Sequence, residues 1–331
     1  MTIIRTRPVT QCIACGSTES SVAYQGLKDR LYAVSGDWSI LQCARPQCGL
    51  LWLGAMPIAE DIHIAYEQYF THADEQGQRQ KASRWQSLQM KALRWLLNLG
   101  SRKHDRQRSA QAYLPRPEAG ASLLEIGCGS GDKLAALRQF GWTVYGYELD
   151  PKAASHAASK HGIQMFQGEL AGIPAQGLKF DAILMNHVFE HLLEPAEVLA
   201  VCRNLLRPGG RLVIVTPNAR SAGHRQFGAA WLGLDPPRHT YIWSPDCLAA
   251  FVGVRGFSIV ENFTSKANDD VFLMHSQSIQ ESGRAEISIL PPVAIELKAR
   301  YREAAAFFAS PFAGDLAEEC ILIAISKADP A

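Results

Sequence analysis

The sequence predicts an α/β protein: a doubly wound, mostly parallel sheet with an antiparallel last strand, preceded by a small cysteine-bearing β-ribbon and a helical linker. Three observations carry this. From residue 116 onward, apolar runs of strand length alternate with helix-length segments, the pattern of βαβ crossovers under a sheet covered on both faces. A glycine turn, Gly127-Cys128-Gly129-Ser130-Gly131, joins the first of those strands to a helix. Four of the eight cysteines fall in the first fifty residues as two close pairs.

At the N-terminus, Cys12-x2-Cys15 and Cys43-x4-Cys48 are followed directly by Gly16 and Gly49. Between the pairs, short apolar and aromatic runs are punctuated by Gly26 and Gly36, which reads as β-hairpins. Residues 1–57 are therefore expected to form a ribbon. Residues 58–115 change to helical spacing, with Trp85, Leu88, Leu93, Trp95, Leu96 and Leu99 recurring mostly at i, i+3 and i+4. Arg102, Lys103, Arg106 and Arg108 make the end of this linker basic, as a solvated helix face or an anion contact. Pro115-Arg116-Pro117 breaks the helix and opens the body, 116–331.

Within the body, 122–127 reads as a strand, 131–141 as a helix and 143–150 as a strand. A helix starts at Pro151, which suits a first helical turn. A short strand follows at 163–169 and a buried one at 180–186. The helix over 194–210 is stopped by Pro208-Gly209-Gly210, and 211–217 is again a buried strand. Two more strands, 256–264 and 320–327, suit an antiparallel pair, with a helix between them across 295–308.

The 331 residues carry 47% hydrophobic and 20% charged side chains and a formal charge of +1. That is the composition of a packed globular protein, with no overall field to draw it to nucleic acid or an anionic membrane. No stretch approaches 18 uninterrupted apolar residues, so no membrane span is expected and the chain reads as cytoplasmic. A reducing compartment favours metal ligation or burial over disulfides. Cys12, Cys15, Cys43 and Cys48 then supply four thiolates suited to a closed, structural zinc site, while Cys128, Cys202, Cys247 and Cys320 read as small buried side chains.

The glycine turn is not a dinucleotide fingerprint, because Asp132 stands where the third small residue belongs. Nor is it a phosphate loop, because Lys133 lacks the flanking glycine and hydroxyl. It is preceded by Glu125, and Glu148 lies at the tip of the next strand, where a carboxylate can accept both hydroxyls of a ribose. Five segments in register, LLEIGCGSG (123–131), VYGYELDP (144–151), FQGEL (166–170), FDAILMNHVFEHLLEP (180–195) and LLRPGGRLVIVTPN (205–218), give a chain that resembles the class I S-adenosylmethionine-dependent methyltransferases. The resemblance implies a Rossmann-like sheet and S-adenosylmethionine as cofactor. It places Gly127, Gly129 and Gly131 at the methionine end of the cofactor, with Glu125 supporting the loop. It further places Glu148 on the ribose, Tyr147 and Leu149 beside the adenine, Glu169 and Leu170 at its edge and face, and Asn186 near the sulfonium.

Methyl transfer needs a base for the acceptor's proton. His191, which titrates near neutrality, is the first candidate, with Glu190 beside it; His187 is expected to line the cofactor pocket. Residues 217–245 resemble an acceptor-side segment, in which Trp231, Arg238, His239 and Tyr241 would form a lid and Arg238 would grip phosphate or carboxylate. The N-terminal module is similar to that of nucleotide-deoxysugar C-methyltransferases, although only some 65 residues follow the sixth strand here. The expected acceptor is a small molecule or glycan precursor such as a nucleotide sugar. The alternative is a zinc-ribbon protein, or an RNA methyltransferase, whose body recognises nucleic acid or a protein partner. Nothing in the sequence speaks to oligomeric state.

Overall fold

The computed structural model describes residues 4–67, 101–285 and 316–327. The apolar repeat of Trp85 to Leu99 and the helix expected across 295–308 lie outside the described residues.

The N-terminal module is a β-ribbon. Strands β1 (Thr6–Pro8) and β5 (Ala55–Pro57) pair antiparallel, and β2 (Ser20–Leu27), β3 (Trp38–Cys43) and β4 (Leu51–Leu53) form an antiparallel meander. Trp38, Ile40, Leu50, Trp52 and Met56 fill its interior. The ribbon sheet is finished by the body, because β11 (Tyr241–Ile242) pairs antiparallel with β4. Sequence reasoning reads Tyr241 as an acceptor residue and gives no hint of this strand.

Helix α1 (Ser101–Ala110) lies against the body. Arg106 pairs with Asp270 at 2.8 Å, Arg108 pairs with Glu261 at 2.8 Å, and Tyr113 donates to the Ser265 hydroxyl at 2.9 Å. Arg106 and Arg108, expected on a solvated or anion-contacting face, are thus spent on intramolecular pairs.

The body's seven strands run in the order β12, β13, β10, β9, β6, β7, β8. They are β6 (Ser122–Ile126), β7 (Thr143–Tyr147), β8 (Gln164–Phe166), β9 (Phe180–Asn186), β10 (Leu206–Pro217), β12 (Phe257–Ser265) and β13 (Glu319–Ser326). Strands β6 to β10 are parallel, and β13 runs antiparallel to both β10 and β12. The crossover helices are α2 (Asp132–Gln139), α3 (Pro151–His161) and α4 (Pro195–Leu205). Helix α3 begins as the sequence suggests: the Asp150 side chain accepts from the Lys152 N–H at 3.0 Å, with Pro151 at the first helical position. Strand β10 starts five residues earlier than expected, because the register shifts between Leu206 and Arg211 and turns Pro208-Gly209-Gly210 into an irregular strand segment.

Side chains alternate cleanly across the sheet. Leu124, Ile183, Met185, Leu212 and Ile214 face a core that runs without interruption into the ribbon. Leu123, Leu184, Val213, Val215 and Ile323 face a second core with Leu134, Leu137 and Ala157. Register fixes the site: Ile126 lies opposite both Tyr147 and Met185, so the glycine turn, Glu148 and Asn186 leave their strands at one level. The chain winds outward in opposite directions from β6 and β9, and that switch point is where an open parallel sheet leaves a ligand crevice.

Candidate active site and cysteine cluster

All three glycines of the turn take positive φ: +70° at Gly127, +52° at Gly129 and +78° at Gly131. A Cβ at Gly127 would stand 2.5 Å from Val188, and one at Gly131 would stand 2.6 Å from Ile163. Tight packing therefore requires these two glycines even without a ligand. Glu148 braces the turn, accepting the Gly129 N–H at 2.8 Å and the Asp150 N–H at 3.0 Å. Those bonds leave acceptor capacity on the carboxylate for a diol. Beside it Leu149 is 78% exposed, an apolar side chain free to cover a ring, while Glu169 is exposed and Leu170 half-buried. Tyr147 is buried and donates to the Gly168 carbonyl at 3.2 Å, so it fixes the following loop more than it presents a ring face.

Beneath the turn, Glu125 is 2% exposed and its Oε2 has no hydrogen-bond partner. Burial pushes its carboxyl up to about 8, against the opposing pull of Lys133, with the charge of Glu148 adding to the rise. Lys133, in the first turn of α2, donates to Asn186 Oδ1 at 3.1 Å and so spans the crevice between β6 and β9.

The segment after β9 gathers the titratable groups. His187 adopts φ +55° and places its ring between two fully buried carboxylates, with Nε2 2.7 Å from Glu319 and Nδ1 3.3 Å from Glu190. Burial opposes its protonation, but hydrogen bonds to Glu190 and Glu319 win and raise its pKa far above the ordinary value. For Glu190 burial favours the acid, and contact with His187 reverses this and holds the carboxylate ionised. His187 is accordingly the cation of a Glu–His–Glu cluster, its side chain 29% exposed between two buried carboxylates.

His191 closes a single helical turn, Phe189–His191. Its Nδ1 lies 3.0 Å from the Arg238 carbonyl and 3.1 Å from the Tyr66 hydroxyl. A carbonyl only accepts, so Nδ1 carries the hydrogen and Nε2 keeps the lone pair. Burial, with His239 4.7 Å away ring to ring, lowers its pKa to about 4. The ligand atoms of Glu190, His191 and His239 all fall within 4.8 Å of one another.

The rest of the expected acceptor lid is interior, which corrects the sequence reading. Arg238 is fully buried. Its guanidinium bonds Asp29 of the ribbon at 2.7 and 2.9 Å and Asp235 at 2.5 and 2.9 Å, and it stacks 4.7 Å from the Tyr32 ring centroid. The remaining N–H donates to the Ala65 carbonyl at 3.3 Å, so the whole fork is spent inside the protein and none of it is left for a substrate. Trp231 is buried, donating to Glu318 at 2.7 Å and stacked at 4.6 Å on His224, whose Nε2 meets the Tyr24 hydroxyl at 2.9 Å. Tyr241 is buried on β11. Of the four, His239 brings its side chain against His191, which Arg238 meets through its carbonyl. Sequence reasoning missed Tyr66, Asp29 and Glu319, which carry no motif and reach the site from distant segments.

In the ribbon, Cys12 and Cys48 Sγ stand 3.6 Å apart, Cys15 and Cys43 3.5 Å apart, and all four sulfurs lie within 4.8 Å. A tetrahedron with sulfur–zinc bonds of about 2.3 Å has edges of about 3.8 Å, so the donor set, four free thiols, fits zinc. Gly16 and Gly49, both at positive φ, close the two knuckles through N–H bonds to the carbonyls of Cys12 and Arg45.

The fold, the switch-point crevice and the acid at the second strand tip define a class I S-adenosylmethionine-dependent methyltransferase domain. Residues 101–262 match a family described as a methyltransferase domain. The chain is 32% identical over 158 residues to the ubiquinone biosynthesis O-methyltransferase of Cereibacter sphaeroides, covering 44% of this chain and 64% of that protein. It is 37% identical over 112 residues to the enzyme of the same name from Xylella fastidiosa, 31% of this chain and 44% of that one. The chain thus spans less than two thirds of the length of these relatives. Among solved structures, a SAM dependent methyltransferase from Archaeoglobus fulgidus is similar at 18% identity and TM-score 0.45, over 72% of this chain and 99% of that one. Among the described residues, no helix is long and apolar enough to cross a membrane.

Proposed function

We propose that the chain transfers a methyl group from S-adenosylmethionine to a small-molecule acceptor, with Glu148 holding the cofactor ribose, His191 as general base and zinc in the four-cysteine ribbon. The observation that carries this is the common level at which the sheet releases its groups: the Glu148 carboxylate and the glycine turn at the tips of β7 and β6, and the Glu190–His191 turn just beyond β9. When bound, the cofactor supplies a carbon already activated by sulfonium, so the chain's task is alignment and proton removal. Glu148 orients the nucleoside. Asn186, at the end of β9, faces the methionine end. His191, neutral and with Nε2 unprotonated, accepts the proton of the attacking group. The buried carboxylates of Glu190 and Glu319, only partly balanced by His187, favour the imidazolium that forms.

An oxygen acceptor is favoured by the named activity of the relatives in Cereibacter and Xylella, which are O-methyltransferases. A nucleic acid acceptor is disfavoured by the +1 formal charge and by the internal pairing of Arg106 and Arg108. Calorimetric titration tests the reading. S-adenosylmethionine should bind one to one and NAD not at all, and Glu148→Ala should weaken the cofactor roughly ten- to a hundredfold, the worth of a charge-assisted contact. Folded protein without affinity for S-adenosylmethionine would overturn it.

A further inference from the structure

The amino-acid tail of the proposed cofactor is a zwitterion, and its carboxylate would give up water at the glycine turn. A cation is required to seat it there. Lys133 stands in the first turn of α2, half-buried, its ammonium spanning from the glycine turn to the end of β9. Among the described residues its hydrogen-bonding partner is the neutral amide of Asn186, and no carboxylate lies within ion-pair reach. An ammonium has three donors, and one amide oxygen leaves capacity for a ligand. Glu125 lies buried below it, its Oε2 without a hydrogen-bond partner and its carboxyl within the pull of the Lys133 charge.

We propose that Lys133 is the residue that recognises the α-carboxylate of the cofactor, exchanging its contact with Asn186 for a charge-assisted one when the cofactor enters. The same lysine fails the phosphate-loop pattern by its neighbours, and its position suits a singly charged carboxylate instead. The inference rests on the cofactor reading above. It predicts that the protein distinguishes ligands by their tails: a nucleoside thioether without the amino acid should gain nothing from Lys133.

The test is titration of wild type, Lys133→Met and Lys133→Arg with three ligands: S-adenosylhomocysteine, its decarboxylated counterpart, and 5′-methylthioadenosine, which keeps the nucleoside and sulfur but has no amino-acid tail. Lys133→Met should weaken S-adenosylhomocysteine roughly ten- to a hundredfold and leave the other two within about twofold, while Lys133→Arg retains most of the affinity. Binding of 5′-methylthioadenosine by the variant also shows that its pocket is folded. Equal weakening of all three ligands, or no weakening of any, would overturn the assignment. Wild-type protein that binds none of the three would overturn the cofactor reading itself and the inference with it.

Discussion

At the scale of single residues, protonation decides what the site can do. His191 is held neutral by burial and by His239, with a pKa near 4 in place of about 6.5. Turnover should therefore stay level as pH falls through 6.5 and drop only toward pH 4, and a pH–rate profile with an acid limb near 6.5 would exclude His191 as base. The same shift has a thermodynamic sign. The folded chain resists protonation of His191 more than the unfolded chain does, so this contribution to stability is complete above about pH 6.5 and is lost as pH falls from there toward 4. His191→Ala should lower turnover by two to four orders of magnitude, about the worth of a positioned base, with cofactor affinity nearly intact. The residues at the strand tips, Glu125, Glu148 and Asn186, were legible because their spacing follows from strand length and register. Glu319, 132 positions from His187 in sequence, was not, because nothing local marks a strand residue that happens to face a histidine. Arg238 was misread for a related reason: a buried structural arginine and a ligand-gripping one look alike in a Pro-Pro-Arg-His run.

At the scale of elements, the parallel strands and crossover helices were legible apart from the boundary between α4 and β10, since continuous apolar runs and proline or glycine stops are local signals. The two-residue strand β11 carries no such signal; it exists because the unpaired edge of β4 is there to receive it. The ribbon is the element whose stability should depend on metal. Its four sulfurs lie within 4.8 Å of one another, and burial disfavours ionisation of Cys12 and Cys43 without a cation. Purified protein should contain one zinc per chain by elemental analysis. Stripping it with a strong chelator, or Cys43→Ser, should lower the thermal midpoint by several degrees or more. A midpoint indifferent to chelation would remove the structural role.

At the scale of the molecule, ribbon and body are one folding unit, joined by a shared core, by β4–β11 pairing and by the Arg238–Asp29 ion pair. Breaking that pair from one side leaves buried charge uncompensated: Asp29→Ala should cost about 3–5 kcal/mol, whereas joint replacement of Asp29 and Arg238 by apolar residues should recover part of the loss. Denaturant melts of the three variants check this, and a double-variant loss equal to the sum of the two single losses would show that the pair is not coupled. Because the Arg238 carbonyl also receives His191 Nδ1–H, a strained clamp should raise the energy of the base's productive orientation as well.

The reach of that clamp also bears on how the chain is made. Asp29 and Arg238 are 209 positions apart. At ordinary synthesis rates, Asp29 leaves the ribosome roughly ten to forty seconds before its partner exists. Through that interval the ribbon has an open edge at β4 and a carboxylate destined for burial but still in water. The thiol cluster, complete once Cys48 has emerged, is the one fastening available to it so early, so metal supply during translation would set whether the nascent N-terminus waits folded or waits exposed.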